Sequence, residues 1–141
     1  MVDRNVVMAK VSVIERCLER IAEVHGTRRT ELRPLDVEDI TLFNLQKAVQ
    51  AAIDLATHVV AAEGYGTPDS QAAVFTLLEK RGVIPSGLAG NLRKMVGFRN
   101  IAVHEYETID PAIVEAIVER HLGDLQALGN RIVEFFGIRE R

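Results

Sequence analysis

The sequence predicts an all-helical protein: a bundle of four or five helices running up and down on short connections. Three observations predict it. Each long segment repeats its apolar residues at steps of three and four, the spacing that lines one face of a helix. No segment shows the period-two alternation between hairpin turns that marks strands. Prolines, glycines and small polar residues fall between the periodic stretches, where helices begin and end.

The first helix is expected over about residues 3 to 25. Val7, Val11, Ile14, Leu18 and Ile21 recur along it with Arg16, Glu19, Arg20 and Glu23 between them, and Gly26 is a stop signal. The polar, basic stretch from Thr27 to Arg33 reads as a loop. Asp36 is a good N-cap for the second helix, with Asp39 forming only a loose capping box. Ile40, Phe43, Leu45, Val49, Ile53, Ala56, Val59 and Val60 then give a wide apolar surface as far as Glu63, before Gly64 and Gly66. At 1.5 Å per residue this helix is roughly 40 Å long.

Thr67-Pro68-Asp69-Ser70 supplies a cap, a first-turn proline and an acid at the positive end of the helix dipole, so a third helix is expected from there to Gly82. Pro85-Ser86 opens a fourth, running through Leu88, Leu92, Met95 and Val96 toward Arg99. Asp110-Pro111 starts the last, with Ile113, Ile117, Leu125, Leu128, Ile132, Phe135 and Phe136 along it and Gly137 near its end. There is no internal repeat and no low-complexity tract. At 141 residues, the chain reads as one domain over 1–141.

Composition narrows the class. Hydrophobic residues make up 48% and charged residues 26%, a folded rather than disordered balance. With 5% aromatic residues and no Trp, the core must come from Ala, Val, Ile and Leu. The single cysteine, Cys17, excludes an internal disulfide and a cysteine-based zinc site. With no signal-peptide pattern, it points to a cytoplasmic protein. No run approaches the roughly 20 apolar residues of a membrane span. The net charge of −3 does not mark a nucleic-acid binder. Between Lys80 and His104, however, stand five basic residues (Lys80, Arg81, Arg93, Lys94, Arg99) and no Asp or Glu. Such a run is either a solvated helix face or a local patch that attracts phosphate.

No Walker loop, dinucleotide glycine motif, His-Glu-x-x-His or EF-hand loop is present. The histidines are His25, His58, His104 and His121, and no two stand three or four apart. Neither a metal site nor a cofactor is expected. The densest set of functional groups is Phe98-Arg99-Asn100-Ile101-Ala102-Val103-His104-Glu105-Tyr106, at an expected helix end. Arg and His near a helix C-terminus have an ordinary use, capping carbonyls and meeting the dipole. They also suit RNA cleavage without a metal. Histidine, with an unperturbed pKa of about 6.5, exchanges protons near neutral pH. Arginine stays charged, and its planar fork matches two phosphate oxygens.

Geometry adds a constraint. Five steps of about 100° place Arg99 and His104 roughly 140° apart around an ideal helix. Either the helix unwinds before His104, or a second subunit completes the site. An extended chain beyond His104 would point His104 and Tyr106 the same way.

Arg99-Asn100-x-x-x-His104-x-Tyr106 resembles the Arg-x4-His motif of HEPN-domain ribonucleases, and its tyrosine resembles the HepT subgroup. The likeness extends over nearly the whole chain. It takes in Asn44-Leu45-Gln46-Lys47-Ala48-Val49-Gln50 through Ile53-Asp54-Leu55-Ala56-Thr57-His58 on the second helix, and Phe98 ahead of the motif. The resemblance implies a HEPN-type helical homodimer with both motif copies in a cleft at the interface. It implies a metal-independent endoribonuclease acting as the toxin of a type VII-like toxin–antitoxin system, with Arg99 and His104 catalytic and Asn100 supporting; Arg93 and Lys94, from the basic run, are the expected RNA contacts. It further implies a partner, an MNT-type nucleotidyltransferase that attaches AMP to Tyr106. A phosphate there would fill the anion site beside Arg99 and His104 and block RNA.

Asp54 and His58, four apart on the second helix, either orient the motif and line the cleft or form a hydrogen-bonded core pair. Gly97, at a cost of about 1 kcal/mol relative to Ala, either allows close helix approach at the dimer seam or is simply tolerated. Two other functions remain open. A non-catalytic nucleotide- or substrate-binding subunit of a nucleotidyltransferase complex would use Arg99 and Lys94 but leave His104 and Tyr106 without a part. A helical interaction protein would need no ligand.

Overall fold

The structure, a computed structural model, describes residues 1–26, 31–104 and 109–138. Among these, six helices follow one another: α1 (Arg4–His25), α2 (Pro34–Glu63), α3 (Ala73–Lys80), α4 (Ser86–His104), α5 (Pro111–Arg120) and α6 (Leu122–Phe135). The class is the expected one, and there are no strands among the described residues. The helix count exceeds the four or five expected.

α1 begins where Asp3 accepts hydrogen bonds from the backbone N–H groups of Asn5 (2.8 Å) and Val6 (3.3 Å). α2 starts two residues before the expected cap. Pro34 occupies its first turn after an extended Arg33, and Asp36 lies inside that turn, its Oδ2 taking a bond from Arg33 Nε at 3.0 Å. Proline has no N–H to leave unpaired at a helix start, and it holds the preceding residue extended. Gly64 closes α2 at φ 65°, in the left-handed region that glycine enters without a Cβ clash.

α3 is shorter than expected. Thr67-Pro68-Asp69 stays outside the regular helix, and Ser70 Oγ accepts from the Ala73 N–H at 3.1 Å. Thr67 to Gln71 carries no large apolar side chain to bury, so no packing energy extends the helix backward, and a short helix is marginal without it.

The expected last helix is two. α5 ends and α6 begins at His121, whose Nδ1 hydrogen-bonds Asp124 Oδ2 at 3.0 Å. Gly123 sits in the first turn beyond the break, where a weak helix former makes a bend inexpensive. The break lets Ile117 of α5 and Leu125, Leu128 and Ile132 of α6 all reach the core.

α2 is the central helix. It packs along α1 and also touches α3, α4 and α6. The core contains Ile14 and Ile21 of α1, Leu45 and Leu55 of α2, Phe75 and Leu78 of α3 and Leu92 of α4, all essentially inaccessible to solvent. α6 closes on α1 at Gly129, where an added Cβ would stand 3.3 Å from Val11 Cγ2. α4 packs against α2, α3 and α6 through Leu88, Ala89, Leu92, Met95 and Val96. Beyond Val96, of its residues only Ala102 is buried, so its last two turns stand at the surface. Among the described residues, no helix is long and apolar enough to cross a membrane.

Candidate active site

The last two turns of α4 carry Arg99, Asn100 and His104. The helix remains regular through His104, so the unwinding considered from the sequence does not occur before that residue. Asn100 and His104 are exposed and Arg99 is half-buried, so neither the imidazole nor the guanidinium is sealed inside the protein. Arg99 Nη1 donates to Asn100 Oδ1 at 3.4 Å, a long bond that ties the amide to the guanidinium. Arg99 Nε is shielded from solvent and has no hydrogen-bond partner among the described residues. Buried donors are seldom left unpaired, and one that is calls for a specific reason. Ile101 and Val103, about half exposed, flank this end of the helix. Tyr106 lies outside the described residues.

The basic residues upstream divide. Arg93 is engaged, its Nη1 donating to Thr76 Oγ1 and Glu79 Oε1, each at 3.3 Å, which ties α4 to α3. Lys94 is exposed. It stands at a cleft between α4 and α5 that also takes in Asn91, Phe98, Ile113 and His121. Spacing alone puts Asn91, Lys94 and Phe98 on one helical face, at steps of three and four, but does not say which helix covers that face.

Asp54 and His58 point elsewhere. Asp54 takes bonds from Lys10 Nζ (3.2 Å) and Gln50 Nε2 (2.8 Å), and His58 Nε2 accepts from the Asp3 backbone N–H at 3.0 Å. Both are half-buried, and these bonds hold α1 and its lead-in against α2 rather than reaching α4 or joining the two side chains to each other. Among the described residues an added Cβ at Gly97 meets nothing within 4 Å, so none of their contacts requires glycine there. Among the described residues no group of three or more His, Cys, Asp or Glu is arranged to hold a metal ion.

Fold and site together define the class: an all-helical, HEPN-type domain with an arginine and a histidine five residues apart at the surface end of its fourth helix. Comparison with known proteins specifies it. The Ribonuclease HepT-like family model matches residues 14–132. The chain is 37% identical over 122 residues to the mRNA nuclease HepT of Shewanella oneidensis, covering 86% of this chain and 92% of that protein. It is 28% identical over 107 residues to the tRNA nuclease HepT of Aphanizomenon flos-aquae, covering 75% and 73%. A crystal structure of a toxin–antitoxin with AMP-PNP matches with a TM-score of 0.85 at 35% identity, over 92% of this chain and 98% of that one. The tri-AMPylated Shewanella oneidensis HEPN toxin, in complex with its MNT antitoxin, matches with a TM-score of 0.84 at 36% identity, over 92% and 97%. The chain belongs to the HepT-like ribonuclease family.

Proposed function

We propose that this protein is a metal-independent endoribonuclease, the toxin of a type VII-like toxin–antitoxin pair, and that each of its sites joins Arg99 of one subunit to His104 of the partner subunit in a homodimer. In the reaction the RNA 2′-hydroxyl loses its proton and attacks the adjacent phosphorus. The bond to the 5′-oxygen breaks, that oxygen takes up a proton, and a 2′,3′-cyclic phosphate remains. His104 exchanges the protons; a positioned acid or base of this kind typically contributes roughly 10²–10⁴-fold. Arg99 holds two nonbridging oxygens and stabilises the charge of the phosphorane. Asn100 orients Arg99. Lys94 meets an RNA phosphate upstream and Arg93, held by Thr76 and Glu79, adds its charge to that face, while Asp54 and His58 act at one remove by fixing α1 against α2.

One observation carries the reading: α4 stays helical to His104, with the imidazole at the surface and Arg99 Nε unpaired. A regular helix keeps the two groups about 140° apart, so a second copy must bring the missing one. Exposed Ile101 and Val103 beside them offer apolar surface for that contact.

Regulation follows from the same chemistry. An MNT-type nucleotidyltransferase transfers AMP from ATP to the Tyr106 hydroxyl, with pyrophosphate leaving; the AMPylated HEPN toxin of Shewanella oneidensis, in complex with an MNT antitoxin, supports this reading. The new phosphate then occupies the anion site beside Arg99 and His104. The test is RNA cleavage in excess chelator by the wild type, Arg99→Ala and His104→Ala, with circular dichroism to confirm the fold. Each variant is expected to lose cleavage, and undiminished cutting by either would refute the assigned roles. Tyr106→Phe, co-expressed with the transferase, is expected to carry no AMP by mass spectrometry.

A further inference from the structure

The cleft between α4 and α5 has a volume of about 390 Å³ and lies on the helix that carries Arg99. We infer that it is a nucleobase subsite, holding one unstacked base of a single-stranded RNA next to the scissile phosphate; this rests on the ribonuclease reading above.

The lining has the chemistry of such a site. Phe98 and Ile113 supply apolar walls, and the Phe98 ring gives a base a face to stack on. Asn91 contributes an amide, one donor and one acceptor group, which matches the hydrogen-bonding edge of a base. His121 adds an imidazole whose Nδ1 bond to Asp124 Oδ2, at 3.0 Å, fixes its orientation. Lys94 stands exposed at the same cleft, where an ammonium meets the phosphate that accompanies the base. An apolar pocket with a few converging polar groups is built for an oriented small ring system; a purely aliphatic ligand would leave the amide and the imidazole without use.

Position gives the second argument. Phe98 precedes Arg99 on α4 by one step of about 100° around the helix, so the sugar–phosphate of a base stacked on Phe98 passes round the helix toward the guanidinium. The break at His121 completes the cleft: it places an imidazole at the end of α5, opposite the Asn91–Lys94 turn. The subsite would thus act in specificity, choosing the base on one side of the cut, and in register, holding that phosphate at Arg99.

The experiment uses the full chain and Ala112→Trp. Ala112 is an exposed residue of the first turn of α5 that lines the cleft, so the indole fills the cleft from its rim without entering the core. Binding of a fluorescent single-stranded oligodeoxynucleotide, which lacks the 2′-hydroxyl and is not cut, is read by anisotropy at fixed salt. An abasic strand of equal length is the control. The base-bearing strand is expected to bind roughly tenfold or more weakly to Ala112→Trp, the scale of one lost stacking contact, with the abasic strand unaffected. Phe98→Leu, which keeps the wall apolar but removes the ring, is expected to give a smaller loss, again confined to the base-bearing strand. Equal affinity of Ala112→Trp and wild type for the base-bearing strand overturns the inference. So does equal weakening for the abasic strand, and so does a change of oligomeric state by light scattering, which would make the cleft a subunit contact. Because binding needs no cleavage, a protein that shows base-dependent binding but cuts no RNA would retain the subsite and lose the ribonuclease reading.

Discussion

If each site draws Arg99 from one subunit and His104 from the other, two inactive variants should rescue one another. The distance sets the case. Arg99 and His104 are separated by about 7.5 Å along the axis of α4 and about 140° around it, so their functional tips lie roughly 15 Å apart. One phosphate group must touch both, and a helix regular through His104 gives no way to close that gap within a subunit. Arg99→Ala and His104→Ala homodimers each contain no complete pair. When they are mixed and allowed to exchange, about half of the dimers are heterodimers, and a twofold heterodimer has one intact pair and one doubly defective pair. Recovered activity should therefore approach about one quarter of the wild-type value at equal total protein. The assay is cleavage of a quenched fluorescent RNA in chelator, with native mass spectrometry of differently tagged subunits confirming exchange. Mixed samples that demonstrably exchange and yet stay inactive would refute the arrangement across subunits. The double variant Arg99→Ala/His104→Ala, mixed equally with wild type, separates the cases: about one quarter of wild-type activity remains if the pair forms across subunits and about one half if it forms within one.

Three further outcomes follow from packing and burial. Phe75 is 1% exposed at the junction of α3 with the core, and Phe75→Ala should lower unfolding stability by about 3–5 kcal/mol, read from urea denaturation. Gly129→Leu should cost about 1–3 kcal/mol by overpacking, since even a Cβ there would press on Val11 at 3.3 Å; a melting temperature equal to wild type would show that α1 and α6 are not closely apposed. Burial pushes the Cys17 thiol above its ordinary value, with Lys47 and Arg16 opposing by charge. Folding therefore favours the neutral thiol, a contribution present below the unfolded thiol's pKa and lost as pH rises through the folded one. Cys17 in the native protein should accordingly resist alkylation at mildly alkaline pH and react once urea unfolds the chain; rapid native labelling would contradict the burial.

The candidate site was legible in the chain to differing depths. Arg99, Asn100 and His104 could be singled out because they are close in sequence, and their angular separation followed from helix geometry alone. The exposure of Asn100 and His104 did not follow, because it depends on α4 outrunning α2, α3 and α6. Asp54 and His58 share a helical face, but which neighbour that face meets is a tertiary matter, and it proved to be α1. Lys94 stood out as part of a basic run, whereas its cleft required the placement of α5, which begins only at Pro111.

By itself, the order of the residues determined the helical class, α1 from about residue 3 to Gly26, the end of α2 at Gly64, the start of α5 at Pro111, and the spacing of the motif. These are local quantities, set by apolar periodicity, by proline's missing N–H and by glycine's access to positive φ. Only the tertiary structure decided that α3 begins at Ala73, that the final helix divides at His121, and that α4 carries regular helix out to His104. Each of those depends on what packing energy a segment gains from distant partners, and that energy is not written into any local pattern.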